Sequence, residues 1–199
     1  DSLFGGAESA DWASFTAAVT VDLGAGTAFG EGFDTLSGIE NVLGGASADS
    51  ILGDAQVNIL NGLFGNNTLS GAAGNDTLIG NSGNDSLAGG LGDDSLFGST
   101  GQDWAFYGAA SGAVTVDLAT NRATGADGND SLSGIEHIRG GNFNDCLLGD
   151  SLANTLEGGA GDDTLVGVSV SGVVEWLVGS LGNDSLVGGT AITDRAQYD

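Results

Sequence analysis

Apolar side chains recur along this chain with a period of nine. From Gly62 to Phe106 the sequence reads GLFGNNTLS, GAAGNDTLI, GNSGNDSLA, GGLGDDSLF, GSTGQDWAF, with Leu69, Leu78, Leu87, Leu96 and Ala105 at the eighth place of each unit. Most of these residues have a polar residue before them. A three-residue alternation of this kind is a short strand with one inward side chain. The six residues before it, G-x-x-G-x-D, hold glycine at the first and fourth places. There the backbone takes φ > 0 or comes too close to a neighbour for a Cβ, so this stretch is a turn. Two turn-plus-strand units make one coil of eighteen residues, and coils stack at about 4.8 Å. The pattern therefore predicts an all-β protein, a parallel β-roll or β-solenoid. A thin ladder of leucines fills the middle, and a ladder of turns runs along each edge.

The phase extends backwards through GDAQVNILN at Gly53 and GGASADSIL at Gly44. A second block runs GGNFNDCLL, GDSLANTLE, GGAGDDTLV from Gly140; a twelve-residue unit from Gly167 to Val178 then interrupts it before GSLGNDSLV at Gly179. A longer repeat encloses both blocks: VTVDL at Val19 returns at Val114, and LSGIE at Leu36 returns at Leu132. The predicted organisation is a linker-strand region with a partial repeat (1–43), a first roll block (44–106), linker strands (107–139) and a second block (140–199) with its insertion unit at 167–178. The pattern starts and stops in mid-repeat, so the chain reads as an excised piece of a longer protein or as part of an array.

Composition narrows the class. Of 199 residues, 38 are glycine, none is proline, and three arginines stand against 27 acids, a formal net charge of −24. A hydrophobic share of 40% is too high for a charged disordered chain. Collagen needs glycine at every third place and proline. Arg122, Arg139 and Arg195 are too few to neutralise phosphates, which excludes nucleic acid and disfavours anionic membranes. No apolar run is long enough to insert in a membrane. Cations are the natural partners.

The aspartates decide which cation. In a roll, Asp76 lies beside Asp94 and Asp85 beside Asp103. Carboxylates about 5 Å apart repel by about 1 kcal/mol in water and about 3 kcal/mol at an effective dielectric near 20. A hard divalent cation between turns reverses the sign. Calcium suits a flexible cage of carboxylate and carbonyl oxygens better than magnesium does. Zinc would want recurrent His or Cys. With dissociation constants of about 0.1 mM, about 1 mM calcium adds about 1.4 kcal/mol per site. Several such sites rival the stability of a small domain, and a chain largely unfolded in chelator is expected.

At these residues the chain resembles the RTX family, whose signature GGxGxDxUx (U, a large apolar residue) is met in full by GGLGDDSLF and GGAGDDTLV. The resemblance implies several calcium ions held between turns, type I secretion, and folding delayed until extracellular calcium is met. It implies ligands at Asp76, Asp85, Asp94, Asp103, Asp145, Asp163, Asp184 and Asp49. Turn carbonyls would come from the stretches opened by Gly71 and Gly74, Gly80 and Gly83, Gly89 and Gly92, and Gly158 and Gly161. Asn58, Asn67 and Asn154 replace the acid, so their sites are expected to be weak or empty. Asp11 and Asp194 sit one place late.

No catalytic set is expected. His137 takes the place that Asn41 has in the first copy, which reads as a polar surface or turn position. Cys146 stands where other units carry Ser or Thr. Trp12, Trp104 and Phe106 read as packing residues, and VTVDL as a strand with one buried face. The segment 168–178 reads as a hairpin covering the roll, or else as an exposed strand for a partner. The leading expectation is a calcium-rigidified scaffold or spacer of a secreted or surface protein, able to self-associate through open solenoid ends or through 168–178. The alternative is an accessory module of an extracellular polysaccharide- or protein-modifying enzyme.

Overall fold

The computed structural model describes residues 2–6, 11–30, 32–168, 173–189 and 195–198. Every regular element among them is a β-strand, and no helix is long and apolar enough to cross a membrane. The chain divides into two compact units, Asp1–Asp103 and Trp104–Asp199.

In the first unit, parallel strands Ser50–Leu52, Thr68–Ala73 and Ser86–Leu91 stack on one side. Asn41–Leu43, Ile59–Asn61, Thr77–Ser82 and Ser95–Thr100 stack on the other. The register sets Leu69 beside Leu87 and Leu78 beside Leu96, one coil apart. Ile51, Leu69 and Leu87 from one sheet and Val42, Leu60, Leu78 and Leu96 from the other are at most 1% exposed. This is the predicted leucine ladder.

In the second unit, Trp104–Phe106, His137–Arg139, Thr155–Ala160 and Trp176–Leu181 form one parallel stack. Val114–Asp117, Cys146–Leu148, Thr164–Val166 and Ser185–Val187 form the other. Ile138, Leu147, Leu156 and Leu165 are fully buried between them.

Three features go beyond the sequence reading. First, in most units whose fourth place is glycine, strands such as Thr77–Ser82 run six residues instead of three; the strand entering the Gly62 unit, Ile59–Asn61, keeps three. The six-residue strands continue through the first glycine of the next unit, which alternation turns inward and which needs no room for a side chain. Second, the linker segments are antiparallel. Thr20–Asp22, Thr27–Phe29 and Phe33–Ser37 form a meander, repeated by Val114–Asp117, Arg122–Gly125 and Gly128–Ser133. One strand of each meander joins the parallel ladder, opposite Ser50–Leu52 and Cys146–Leu148 respectively. Val19, Val21 and Leu23 face inward as VTVDL alternation requires, and Val114, Val116 and Leu118 repeat this.

Third, part of the insertion unit is regular. Residues 169–172 lie outside the described residues, but Trp176–Val178 pairs with Thr155–Glu157 as an ordinary rung. The hairpin expected over 168–178 therefore does not include Trp176–Val178. Across the insertion unit, equivalent turn residues stand 21 apart in sequence, against 18 elsewhere.

The leucine ladder has a single layer, so each side chain is hard to replace. Leu78→Ala is expected to cost about 2–5 kcal/mol, read by chemical denaturation in calcium. Thr77→Ala, on the outward side of the same strand, should cost less than about 1 kcal/mol.

Candidate metal centre

The turn ladders are built from sixth-place carboxylates lying flat between successive coils. Asp76, Asp85, Asp94, Asp103 and Asp163 are at most 2% exposed. One oxygen of each closes a rung. Asp76 Oδ1 accepts the Asn58 N–H at 2.8 Å, Asp94 Oδ1 the Asp76 N–H at 2.8 Å, and Asp85 Oδ1 the Asn67 N–H at 2.7 Å. Asp103, Asp163 and Asp184 do the same for Asp85, Asp145 and Asp163.

The fifth place ties the rungs in the opposite direction. Asn66, Asn75 and Asn84 Oδ1 accept the N–H of Asn84, Asp93 and Gln102, and Asn144 and Asp162 repeat this in the second unit. Sequence reasoning missed that role. Its signal was the recurrent N-D pair.

The second carboxylate oxygen is the unusual one. Among the described residues, Oδ2 of Asp76, Asp85, Asp163 and Asp184 is buried without a hydrogen-bond donor. Leaving one charged oxygen so placed costs several kcal/mol unless a cation or a proton meets it. Each such oxygen lies over the first glycine of its own unit. A Cβ on Gly71, Gly80, Gly158 or Gly179 would run into the carboxylate of Asp76, Asp85, Asp163 or Asp184. At Gly71 the same point is 2.6 Å from the Gly89 carbonyl oxygen of the next coil, and at Gly158 it is 2.9 Å from that of Gly179. The absent side chain thus leaves an oxygen-lined cradle shared by adjacent coils. Gly89 stands in the same relation to Asp94.

The second and fourth glycines serve the backbone. Gly74, Gly83, Gly92 and Gly161 have φ between 123° and 134°. The second place is also left-handed, in Gly90 and Gly159 and equally in Ala72, Asn81 and Ser99, where the signature glycine is lost. A non-glycine residue there carries strain of about 1–2 kcal/mol.

Burial dominates the acid strengths. It raises the Asp76 carboxyl to about 7, with Asp94 and Asp54 adding repulsion. Asp163 rises to about 6 through burial and its neighbours Asp145, Asp184 and Asp162. Asp85 and Asp94 shift upwards mainly from burial.

The other candidate ligands separate. Asp49 and Asp145 occupy the same place, but both their oxygens accept N–H groups: from Val19 and Gly45 for Asp49, and from Val114 and Gly141 for Asp145. Asp11 binds the Gly6 N–H in an exposed turn, and Asp194 lies outside the described residues. Glu175 was missed. It is fully buried and lies against Gly167 in the sixth-place position of the insertion unit. Counting four residues back from Gly179 finds it; counting forward from Gly167 does not.

His137 is a half-buried strand residue on the outward side of the sheet, not a turn residue. Its Nδ1 accepts the Thr155 N–H at 3.0 Å and its ring packs 4.9 Å from that of Trp104. Asn41 Oδ1 plays the same part for Ile59. Burial lowers the imidazole pKa and raises that of the Cys146 thiol.

Four copies of the RTX calcium-binding nonapeptide repeat match the chain, at residues 34–69, 70–105, 148–167 and 172–190, together more than half of it. The chain belongs to the RTX calcium-binding nonapeptide repeat family. No curated protein matches it. The RTX repeat is a structural calcium-binding module, and the cradles fit that ion. Among the described residues no three His, Cys, Asp or Glu side chains converge as a side-chain metal cage would require. Turns such as those of Asp76 and Asp163 instead offer carboxylate and glycine carbonyl oxygens, a hard donor set suited to calcium.

Two outcomes follow. Gly71→Ala should destabilise the calcium-loaded protein by about 1–3 kcal/mol, because Cβ occupies the cradle; urea midpoints measure it. Asp76 and Asp163 bind protons more tightly folded than unfolded, so without metal their contribution is full below about pH 4. It is lost as pH rises through about 6 for Asp163 and about 7 for Asp76. The sheet signal of calcium-free protein should be larger at pH 5 than at pH 8, and a flat profile would count against protonation of these oxygens.

Proposed function

We propose that this RTX chain is a calcium-folded structural module of a secreted protein, acting as a scaffold, spacer or surface element. The observation that carries the reading is the buried carboxylate oxygen over a glycine cradle, repeated from coil to coil. The ligands would be Asp76, Asp85, Asp94, Asp103, Asp163 and Asp184, with carbonyls of the turns opened by Gly71, Gly80, Gly89 and Gly158. Bound calcium supplies the positive charge that neutralises stacked carboxylates and ties adjacent coils.

The location follows from the same chemistry. Sites of sub-millimolar affinity stay empty at cytosolic calcium and fill outside the cell, so secretion of an unfolded chain precedes folding. The roll blocks 44–106 and 140–199 carry the ions, and the linker strands at 1–43 and 107–139 lead into them. The apolar side chains of Val168 and Trp176, 48% and 41% exposed, support self-association as a further property.

Circular dichroism with EGTA and then with excess calcium is the direct test, with calcium uptake counted by titration. The sheet signal should fall in EGTA, return with calcium, and fail to return with magnesium at equal concentration. A full sheet signal in EGTA together with no calcium uptake overturns the reading.

A further inference from the structure

The nonapeptide turns fall into two conformational classes. In units opened by Gly62, Gly71, Gly80, Gly89, Gly98, Gly158 and Gly179 the fourth residue is glycine and the second residue is left-handed. In units opened by Gly44, Gly53, Gly140 and Gly149 the fourth residue is Ser47, Gln56, Phe143 or Leu152, and the second residue lies outside the left-handed region. The second class comprises the first two turns of each block.

The change of backbone changes what meets the sixth side chain. Outside the left-handed region, the second residue's N–H points at it. Gly45 and Gly141 donate to Oδ2 of Asp49 and Asp145 at 2.7 Å. Asp54 and Asp150 donate to Oδ1 of Asn58 and Asn154 at 2.8 and 2.7 Å. The asparagine amide then acts where a cation would. Asn58 Nδ2 donates to the Glu40 carbonyl oxygen of the preceding coil at 2.9 Å and to Asp54 Oδ1 at 3.2 Å. Asn154 Nδ2 repeats both bonds with Glu136 and Asp150. An aspartate at either place would set its oxygen against a carbonyl and a second carboxylate, so the amide is required.

We infer that the first two turns of each block close without calcium, and that each pair, joined to its antiparallel meander, is a metal-independent seed on which the calcium-binding turns stack. Sequence marks the boundary: a nonapeptide without glycine at its fourth place is a closing turn, whatever stands at its sixth. Asp49 and Asp145 then hold backbone N–H groups and not calcium. Val19 and Val114, whose N–H groups these carboxylates accept at 2.8 and 2.9 Å, attach each meander to its block. The inference rests on the calcium reading for the remaining turns.

Two measurements on the full chain test it. Calcium ions are counted by titration for the native chain, Asp49→Asn, Asp145→Asn and Asp85→Asn. The Asp85→Asn count should fall by at least one ion, whereas the Asp49→Asn and Asp145→Asn counts should equal the native one. A lower count for either of these two overturns the inference. Hydrogen exchange of the native chain in EGTA is the second. The Gly45, Asp54, Gly141 and Asp150 amides should exchange at least about tenfold more slowly than those of Asp76 and Asp85; equal rates in both groups overturn it. A native count of zero would sink the calcium reading alone, since the exchange comparison is made without metal.

Discussion

Everything in this protein depends on one electrostatic constraint: carboxylates of like charge are stacked in dry turns, one coil above the next. A rung such as that of Asp76 takes a carboxylate out of water, gives one oxygen a backbone N–H, and leaves the other facing a glycine cradle. Repulsion at this spacing is about 3 kcal/mol per neighbouring pair at moderate dielectric, and burial adds to it. The leucine ladder is too thin to absorb many such terms. The fold closes only if the second oxygen meets a positive charge, a proton or a donor.

Calcium, protonation and asparagine are three answers to that demand. The upward shifts at Asp76 and Asp163 reflect the proton's claim on the same oxygens. The amides of Asn58 and Asn154 supply a fixed hydrogen-bond donor, bound to carbonyl and carboxylate oxygens alike. Asn67 shows a third variant: in a turn with the left-handed second residue Leu63, its Nδ2 donates to the Gly65 carbonyl at 3.1 Å.

Much of this was legible in the sequence, because a nine-residue period leaves little freedom. Leucine at the eighth place and glycine at the first can be satisfied together only by a short inward strand followed by a turn, and tandem turns must stack. The eighteen-residue register, the parallel pairing of the blocks, the buried leucines and the adjacency of Asp76 with Asp94 followed from the spacing alone. The longer repeat located the linker segments, and the alternation in VTVDL gave their buried face.

The tertiary structure decided what depends on direction. A one-letter code does not say which N–H a carboxylate meets, so Asp49 and Asp85 looked alike until the backbone of their turns separated them. The antiparallel meanders were hidden because each of their strands is as short as a roll strand. Glu175 was hidden because an insertion shifts the count in front of it, while packing against Gly167 restores the phase behind it. His137 read only as a polar surface or turn position because its role, accepting a backbone N–H from the next coil, exists only once coils are stacked. Periodicity fixes which residues share a ladder; the orientation of each peptide group within the turn fixes whether that ladder is closed by the chain itself or by an ion.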